Sequence, residues 1–103
     1  MTLFLVFRDP GPAWVSGTAT RQQPLWDEHA TFMDRLFEDG HVILAGPYAD
    51  VSRALVIVRA PDVHAAVALF RDDPWTINEI LSVSEVIAWT IFLNSCTGSA
   101  WQP

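Results

Sequence analysis

The chain contains few side chains that could perform acid/base or nucleophilic chemistry. Its three histidines are His29, His41 and His64, its single cysteine is Cys96, and it has no lysine. Without lysine, Schiff-base chemistry is excluded. Because an imidazole takes up and releases protons near neutral pH, the histidines are the first candidates for general acid/base catalysis. Cys96 has no base near it in the sequence and is predicted to be inert.

His29 has the most informative surroundings of the three histidines. It lies among apolar residues that recur at helical spacing, which predicts that its ring lies on the apolar face of a helix. A histidine in that position is more often a packing residue than a catalytic one. His41 and His64 are predicted at the surface, and neither stands at metal-ligand spacing from His29. The apolar stripe consists of Leu25, Phe32, Met33 and Leu36.

The composition excludes several classes of protein. The chain has 103 residues and a formal net charge of −6, and its six basic residues are scattered arginines. Since they form no basic stripe, a nucleic-acid footprint is missing and an anionic membrane surface is disfavoured. A single cysteine cannot form an internal disulfide, which favours a reducing compartment and predicts a cytoplasmic protein. The apolar run at the N-terminus is too short to span a membrane.

Motifs for bound cofactors are also missing from the sequence. It contains no glycine-rich phosphate loop, no GxSxG elbow and no CxxC pair. No clustered set of histidine, cysteine and carboxylate ligands supports a metal site. The sequence therefore predicts neither a cofactor nor a metal.

Apolar runs and helix breakers predict the main elements. Short apolar runs that end near proline or glycine predict strands at residues 3–7, 42–45 and 54–58. Helical periodicity predicts helices at residues 24–38 and 61–71, the second with Val63, Val67 and Phe70 on its buried face.

The segments outside these elements are less regular. Residues 9–23 form a loop that is long for so small a domain, and such loops are usually lids or are ordered by a partner. Residues 80–93 are predicted as two short strands or as one long bent strand with a bulge near Glu85. Residues 94–103 form a C-terminal tail beyond a single domain at residues 1–93.

The order β-α-β-β-α-β(β) predicts an α+β fold of the ferredoxin-like, split βαβ kind. This arrangement has a four-stranded antiparallel sheet with both helices on one face. Half of the residues are hydrophobic, and the middle strands are nearly uninterrupted apolar runs, so both sheet faces are expected to be buried. Since no third long helix is predicted, a second copy of the chain is the expected cover, and the protein is predicted to be a homodimer.

Several stretches together resemble a known family. With them the chain resembles the YciI-like (YCII-related) proteins of the dimeric α/β barrel superfamily over residues 1–93. The resemblance implies ferredoxin-like subunits, a homodimer, and an active site built from a histidine and an aspartate. By position these are His29 and Asp73. The stretches are residues 3–7, residues 26–33, Gly40 through Gly46 and Pro47, Asp72-Asp73-Pro74-Trp75, and Ala88-Trp89-Thr90-Ile91.

Asp73 precedes Pro74 at the predicted end of the second helix, where aspartate is also common as a plain turn residue. The functional interpretation is that Asp73 accepts an N–H from His29 and fixes its tautomer, so that the other ring nitrogen can act. Asp72 is the weaker candidate, because the aspartate next to proline matches the family motif.

Trp14, Trp26 and Trp75, together with Gly46 and Pro47, are predicted to shape a pocket for a small, flat or apolar molecule. Each tryptophan fits a core or dimer contact at least as well. Trp14 is the most suggestive, because it lies in the loop at residues 9–23 without an obvious core position.

Three functions remain open on this basis. The first is a cofactor-independent enzyme that uses His29 and Asp73 for elimination, isomerisation or lyase chemistry on a small organic molecule, aromatic molecules included. The second is a non-catalytic dimer that binds a small ligand or is purely structural. The third is a cofactorless oxygenase of the same superfamily. In each case the expected partners are a second copy and a small molecule, with neither nucleic acid nor membrane.

Overall fold

The computed structural model describes residues 1–95 and 99–100. The chain folds into four long strands, two helices that cover the sheet, and a short third helix before the last long strand. A single 3-10 turn lies within the loop that follows the first strand. The elements are β1 (Thr2–Pro10), α1 (Trp26–Glu38), β2 (Val42–Pro47), β3 (Ala54–Ala60), α2 (Val63–Ala68), α3 (Pro74–Ile77), β4 (Leu81–Trp89), β5 (Leu93–Asn94) and β6 (Ser99–Ala100).

The four long strands form one antiparallel sheet in the order β2-β3-β1-β4. This is the strand order of a split βαβ, so the predicted α+β, ferredoxin-like fold is confirmed. The last long strand is continuous: Phe7 pairs with Glu85 and Arg8 with Val83, which leaves Ser84 as an extra residue. The structure therefore contains the bent strand with a bulge, one of the two predicted alternatives.

The first helix begins later than predicted. Leu25 adopts a left-handed conformation with φ of 62°, so the helix starts at Trp26 and not at residue 24. Leu25 consequently leaves the predicted apolar stripe and is partly exposed to solvent. The helix ends as predicted, because Gly40 has φ of 85°, a conformation that costs glycine little.

The second helix is shorter than predicted, and a short helix that was not predicted follows it. Helix α2 ends at Ala68, and a separate helix α3 starts at Pro74 after Asp73. The prediction that Val63 and Val67 face the core is wrong, since both are exposed. Asp62 caps the helix by accepting the Ala65 N–H, and Ala66 is the buried residue of α2. Phe70, just beyond the helix, is buried as predicted.

Both covering helices pack on the same sheet face. Side chains of α1 and α2 meet the alternate residues of β1 and β3 that point toward them. The resulting core consists of Phe4, Val6, Val42, Val56, Val58, Ala60, Ala66 and Phe70, with Met33 and Leu36 packed against it.

The other face of the sheet, here called the open face, carries the residues of opposite phase. It is apolar along its length, although Arg59 and Glu85 lie at its ends. Within one chain Ile57 is buried there, whereas Ile87 and Trp89 are substantially exposed. The open face consists of Leu3, Leu5, Phe7, Leu44, Leu55, Ile57, Ile87 and Trp89.

Within the described residues, no helix is long and apolar enough to cross a membrane. In the predicted tail, Leu93–Asn94 pairs with Ser99–Ala100. Cys96, predicted to be inert, lies outside the described residues.

Gly11 is the glycine, among those that the structure describes, whose replacement should bring the closest backbone clash. Its N–H donates to the Ile80 carbonyl at 2.9 Å, and a Cβ at this position would overlap the Glu79 carbonyl oxygen. We expect Gly11→Ala to lower the free energy of unfolding by about 2 kcal/mol, because both partners of the clash are backbone. Urea denaturation measures the change. Gly46→Ala is the matched control, since a Cβ there meets nothing within 4 Å; equal stability of the two variants contradicts the prediction.

Candidate active site

The structure brings His29 and Asp73 together, although 44 residues separate them. The His29 Nδ1 lies 2.9 Å from Asp73 Oδ1 and 3.0 Å from Oδ2. His29 is 8% exposed and Asp73 is fully buried. Because Asp73 is a carboxylate, Nδ1 carries the proton and donates it, which leaves Nε2 as the nitrogen available to a ligand.

Local sequence explains where Asp73 sits. It is the N-cap residue of α3, and its Oδ1 accepts the Trp75 N–H at 3.0 Å. Pro74 at the first helical position has no N–H to satisfy and favours an extended residue before it. The motif Asp-Pro-Trp thus builds a helix start that holds the carboxylate in place.

Arg8 is the residue that sequence reasoning missed. It is 1% exposed, and its Nη1 donates to Asp73 Oδ2 at 2.6 Å while its Nη2 donates to Thr76 Oγ1 at 2.6 Å. The signal was available: Arg8 follows Phe4 and Val6 in the two-residue period of β1, so it had to point to the helix-covered face. A charged residue in the buried phase of a strand requires a buried partner.

These contacts decide the charges of Asp73 and Arg8. Burial on its own raises the pKa of Asp73, but hydrogen bonds from His29 and Arg8, with the Trp75 N–H, outweigh it and leave the pKa below its ordinary value. Burial lowers the pKa of Arg8, and the bond to Asp73 offsets part of that effect. Asp73 therefore stays ionised and Arg8 stays charged at neutral pH.

Aromatic rings surround the imidazole. Trp75 stacks on His29 with ring centroids 3.9 Å apart and planes 4° apart. Its indole N–H donates to the Pro24 carbonyl at 2.7 Å, which fixes the plane of the stack. Trp26 lies 5.8 Å from His29, and Trp14 meets Trp75 edge-on at 5.8 Å. The three tryptophans singled out from the sequence thus form one cluster around His29.

A cavity of about 360 Å³ opens beside this cluster. His29, the three tryptophans and the predicted Gly46 and Pro47 all line it, whereas Asp73 lies behind His29. The volume falls at the lower end of the range of about 300–1,000 Å³ for small-molecule sites. Lining residues that the sequence did not suggest include Arg8, Arg21, Arg53, Thr20 and Val51.

The loop between β1 and α1 brings Trp14 and Arg21 to the cavity. Gln23, 3% exposed, holds it from within: its Oε1 accepts the Val15 N–H, and its Nε2 donates to the Val15 and Thr18 carbonyls, all within 2.9 Å. A buried amide that satisfies three backbone groups gives this loop a defined shape. The expectation that such a loop is a lid or is ordered by a partner stays a prediction.

The remaining histidines lie apart from the cluster. His64 is exposed, as predicted, and His41 is half buried. In the part of the chain that the structure describes, no three His, Cys, Asp or Glu side chains come together to hold a metal ion.

Comparisons with known proteins give the family from a family model and the fold from a solved structure. A family model described as the YCII-related domain matches residues 2–90. The 5-chloro-2-hydroxyhydroquinone dehydrochlorinase TftG from Burkholderia phenoliruptrix AC1100, solved in complex with 2,5-dihydroxybenzoquinone, has a similar structure, with a TM-score of 0.61 and 19% sequence identity. The alignment covers 86% of this chain and 94% of the TftG chain. No curated protein sequence matches the chain.

Replacement of Arg8 should show how much the free energy of unfolding falls when the buried Asp73 carboxylate loses this partner. Because the pKa of Asp73 is lowered in the folded state, the carboxylate stabilises the fold above its ordinary pKa, and this contribution is lost as the pH falls below about 4. We expect Arg8→Met to lower the free energy of unfolding by about 3 kcal/mol at pH 7 and to move the acid-unfolding midpoint to higher pH.

Urea denaturation between pH 3 and pH 7 measures both effects, with those two limits chosen at about one unit below and three units above the ordinary pKa of aspartate. Arg35→Met is the matched control, because Arg35 is exposed on α1 and has no ion pair among the described residues. An acid midpoint that is the same in both variants contradicts the assigned coupling of Arg8 to Asp73.

Proposed function

The chain belongs to the YCII-related domain family, as its motifs predicted, and from this premise we propose that it is an enzyme that moves protons on a small organic molecule. His29 is the proposed general acid/base, and Asp73 is the proposed residue that orients it. The reaction class is elimination, isomerisation or lyase chemistry. The observation that carries the proposal is the bond from His29 Nδ1 to a buried carboxylate beside an open cavity.

The geometry supports a simple proton relay. With Nδ1 donating to Asp73, the lone pair of Nε2 takes a proton from a substrate C–H or O–H. The electron pair of that bond forms a new double bond, and a leaving group departs with its own electron pair or the double bond shifts. The imidazolium, stabilised by the Asp73 carboxylate, then returns the proton to the substrate or to water. One histidine thus serves both elimination and isomerisation.

The similar structure and the aromatic walls favour a flat substrate. TftG is described as a dehydrochlorinase of a chlorinated hydroxyquinol, which is an elimination. In this chain Trp14, Trp26 and Trp75 offer ring faces and edges on which a planar molecule packs. We therefore propose a planar, conjugated substrate. Its conjugation makes a C–H or O–H more acidic, and that bond faces His29.

A non-catalytic binding protein is the second candidate. His29 is nearly buried and stacked on Trp75 at 3.9 Å, which is also the arrangement of a packing residue. In that case the cavity holds a ligand that is not converted, and replacement of His29 changes stability more than any turnover.

The two candidates differ in the effect of His29→Gln. We expect this variant to lose about 10²–10⁴-fold in turnover while it stays folded, because a positioned acid/base contributes rate of that size. The assay follows chloride release from 5-chloro-2-hydroxyhydroquinone, and solvent deuterium exchange by NMR for unchlorinated hydroxyquinols.

His64→Gln is the control, since His64 is an exposed histidine outside the cluster. A fall in thermal stability without a turnover difference between His29→Gln and the native protein favours the binding protein. Oxygen uptake in place of chloride release or exchange favours the cofactorless oxygenase.

The proposed active form is a cytoplasmic homodimer in which the open face meets its own copy. The cytoplasmic location rests on the single cysteine of the chain. A sheet face this apolar, with Ile87 and Trp89 exposed, favours burial against an equivalent face around a two-fold axis.

A charge on the open face tests the dimer. We expect Ile87→Asp to convert the protein to a monomer in sedimentation-velocity experiments, because an aspartate at a closed apolar interface is left without a partner. Val67→Asp is the matched control: Val67 is 43% exposed against 44% for Ile87, but it lies on α2, on the helix side. A dimer that survives Ile87→Asp, or a native chain that is monomeric, contradicts this arrangement.

A further inference from the structure

The charged side chains that line the cavity differ in sign from the net charge of the chain. The sequence carries twelve acidic and six basic residues. Of the six arginines, Arg8, Arg21 and Arg53 line the cavity, whereas its lining contains no aspartate or glutamate. A cleft lined by one sign of charge attracts ligands of the opposite sign. The arginines in the lining therefore favour an anionic ligand, although the protein as a whole is acidic.

The three arginines are not equivalent. Arg8 is bound to Asp73, and Arg53 donates to Asp9 at 2.9 Å and to Glu85 at 3.2 Å. Arg21 forms no ion pair with any residue that the structure describes. Its charge is therefore the one at this cavity that is not balanced by a neighbouring carboxylate.

The position of Arg21 relates it to the proposed catalytic group. Its guanidinium carbon lies 6.0 Å from the Trp26 ring centroid, and the His29 ring centroid lies 5.8 Å from the same ring. Arg21 and His29 thus both lie near the Trp26 ring, and all three residues line the cavity. An indole face suits a planar ring, and a guanidinium beside it suits an acidic substituent on that ring.

We propose that the cavity binds small aromatic carboxylates, with the carboxylate on Arg21 and the ring against Trp26. This inference rests on the proposed function of the same site and names its substrate class. A guanidinium donates two parallel hydrogen bonds to a carboxylate, which a neutral amide does not match. Arg21 contacts a part of the ligand remote from the reacting atom, so it contributes to binding and not to the chemical step.

Calorimetric titration with three isosteres tests the proposal. The ligands are 4-hydroxybenzoate, the neutral 4-hydroxybenzamide and the cationic 4-hydroxybenzylamine, each titrated at low salt into the full chain. We expect the carboxylate to bind about 10-fold more tightly than the amide, and the amine to bind most weakly. In Arg21→Gln the preference for the carboxylate should disappear, while affinity for the amide changes little.

Arg35→Gln is the matched control, because it removes the same charge from an exposed arginine outside the cavity lining. It should keep the preference for the carboxylate. Equal affinity for carboxylate and amide in the native chain, no carboxylate binding at millimolar concentration, or a preference that persists in Arg21→Gln overturns the proposal. Circular dichroism of Arg21→Gln identical to that of the native chain excludes unfolding as the cause of lost binding.

The same titration in His29→Gln separates this inference from the proposed function. If His29 has no catalytic role but the carboxylate preference persists in His29→Gln, the proton-transfer proposal fails and the anion site stands. If His29-dependent turnover is found on neutral hydroxyquinols and Arg21→Gln leaves their KM unchanged with no carboxylate preference, the anion site fails and the catalytic proposal stands.

Discussion

The buried carboxylate of Asp73 is the interaction on which the rest of the structure depends. It accepts hydrogen bonds from His29 on α1, from Arg8 on β1 and from the backbone of Trp75 at the start of α3. An ion without partners in such a place costs several kcal/mol, so each donor must be held where it is. One acidic group thereby ties the sheet to two helices and sets the geometry of the cluster.

In the proposed enzyme the same interaction serves both stability and chemistry. Arg8 and the helix start keep Asp73 ionised, and the ionised Asp73 orients His29, whose second nitrogen remains for a ligand. The bulge in β4 lies beside Arg8 in the sheet. Because Ser84 is an extra residue, Val83 comes opposite Arg8 on the helix-covered face. Enzymes commonly place acid/base residues where a buried charged partner perturbs the pKa of a group beside a cavity.

The two faces of the sheet have separate tasks. The helix-covered face supplies the core and the Asp73 cluster. The open face carries an apolar surface larger than a lone small domain requires. In the proposed dimer the second copy covers that face, and association and ligand binding are tested by different substitutions.

The sequence by itself determined the order of the four long strands and the two covering helices, the family and the candidate residues, because strand and helix periods and the Asp-Pro-Trp turn are local signals. It did not predict the short helix α3. It misplaced the start of α1 and the buried face of α2, since the left-handed Leu25 and the Asp62 cap depend on how the chain enters each helix. Only the tertiary structure showed Arg8 as the partner of Asp73 and Arg21 at the cavity, because both depend on contacts between residues distant in the chain. Which carboxylate a buried arginine meets depends on how distant segments pack, and no local sequence pattern predicts it.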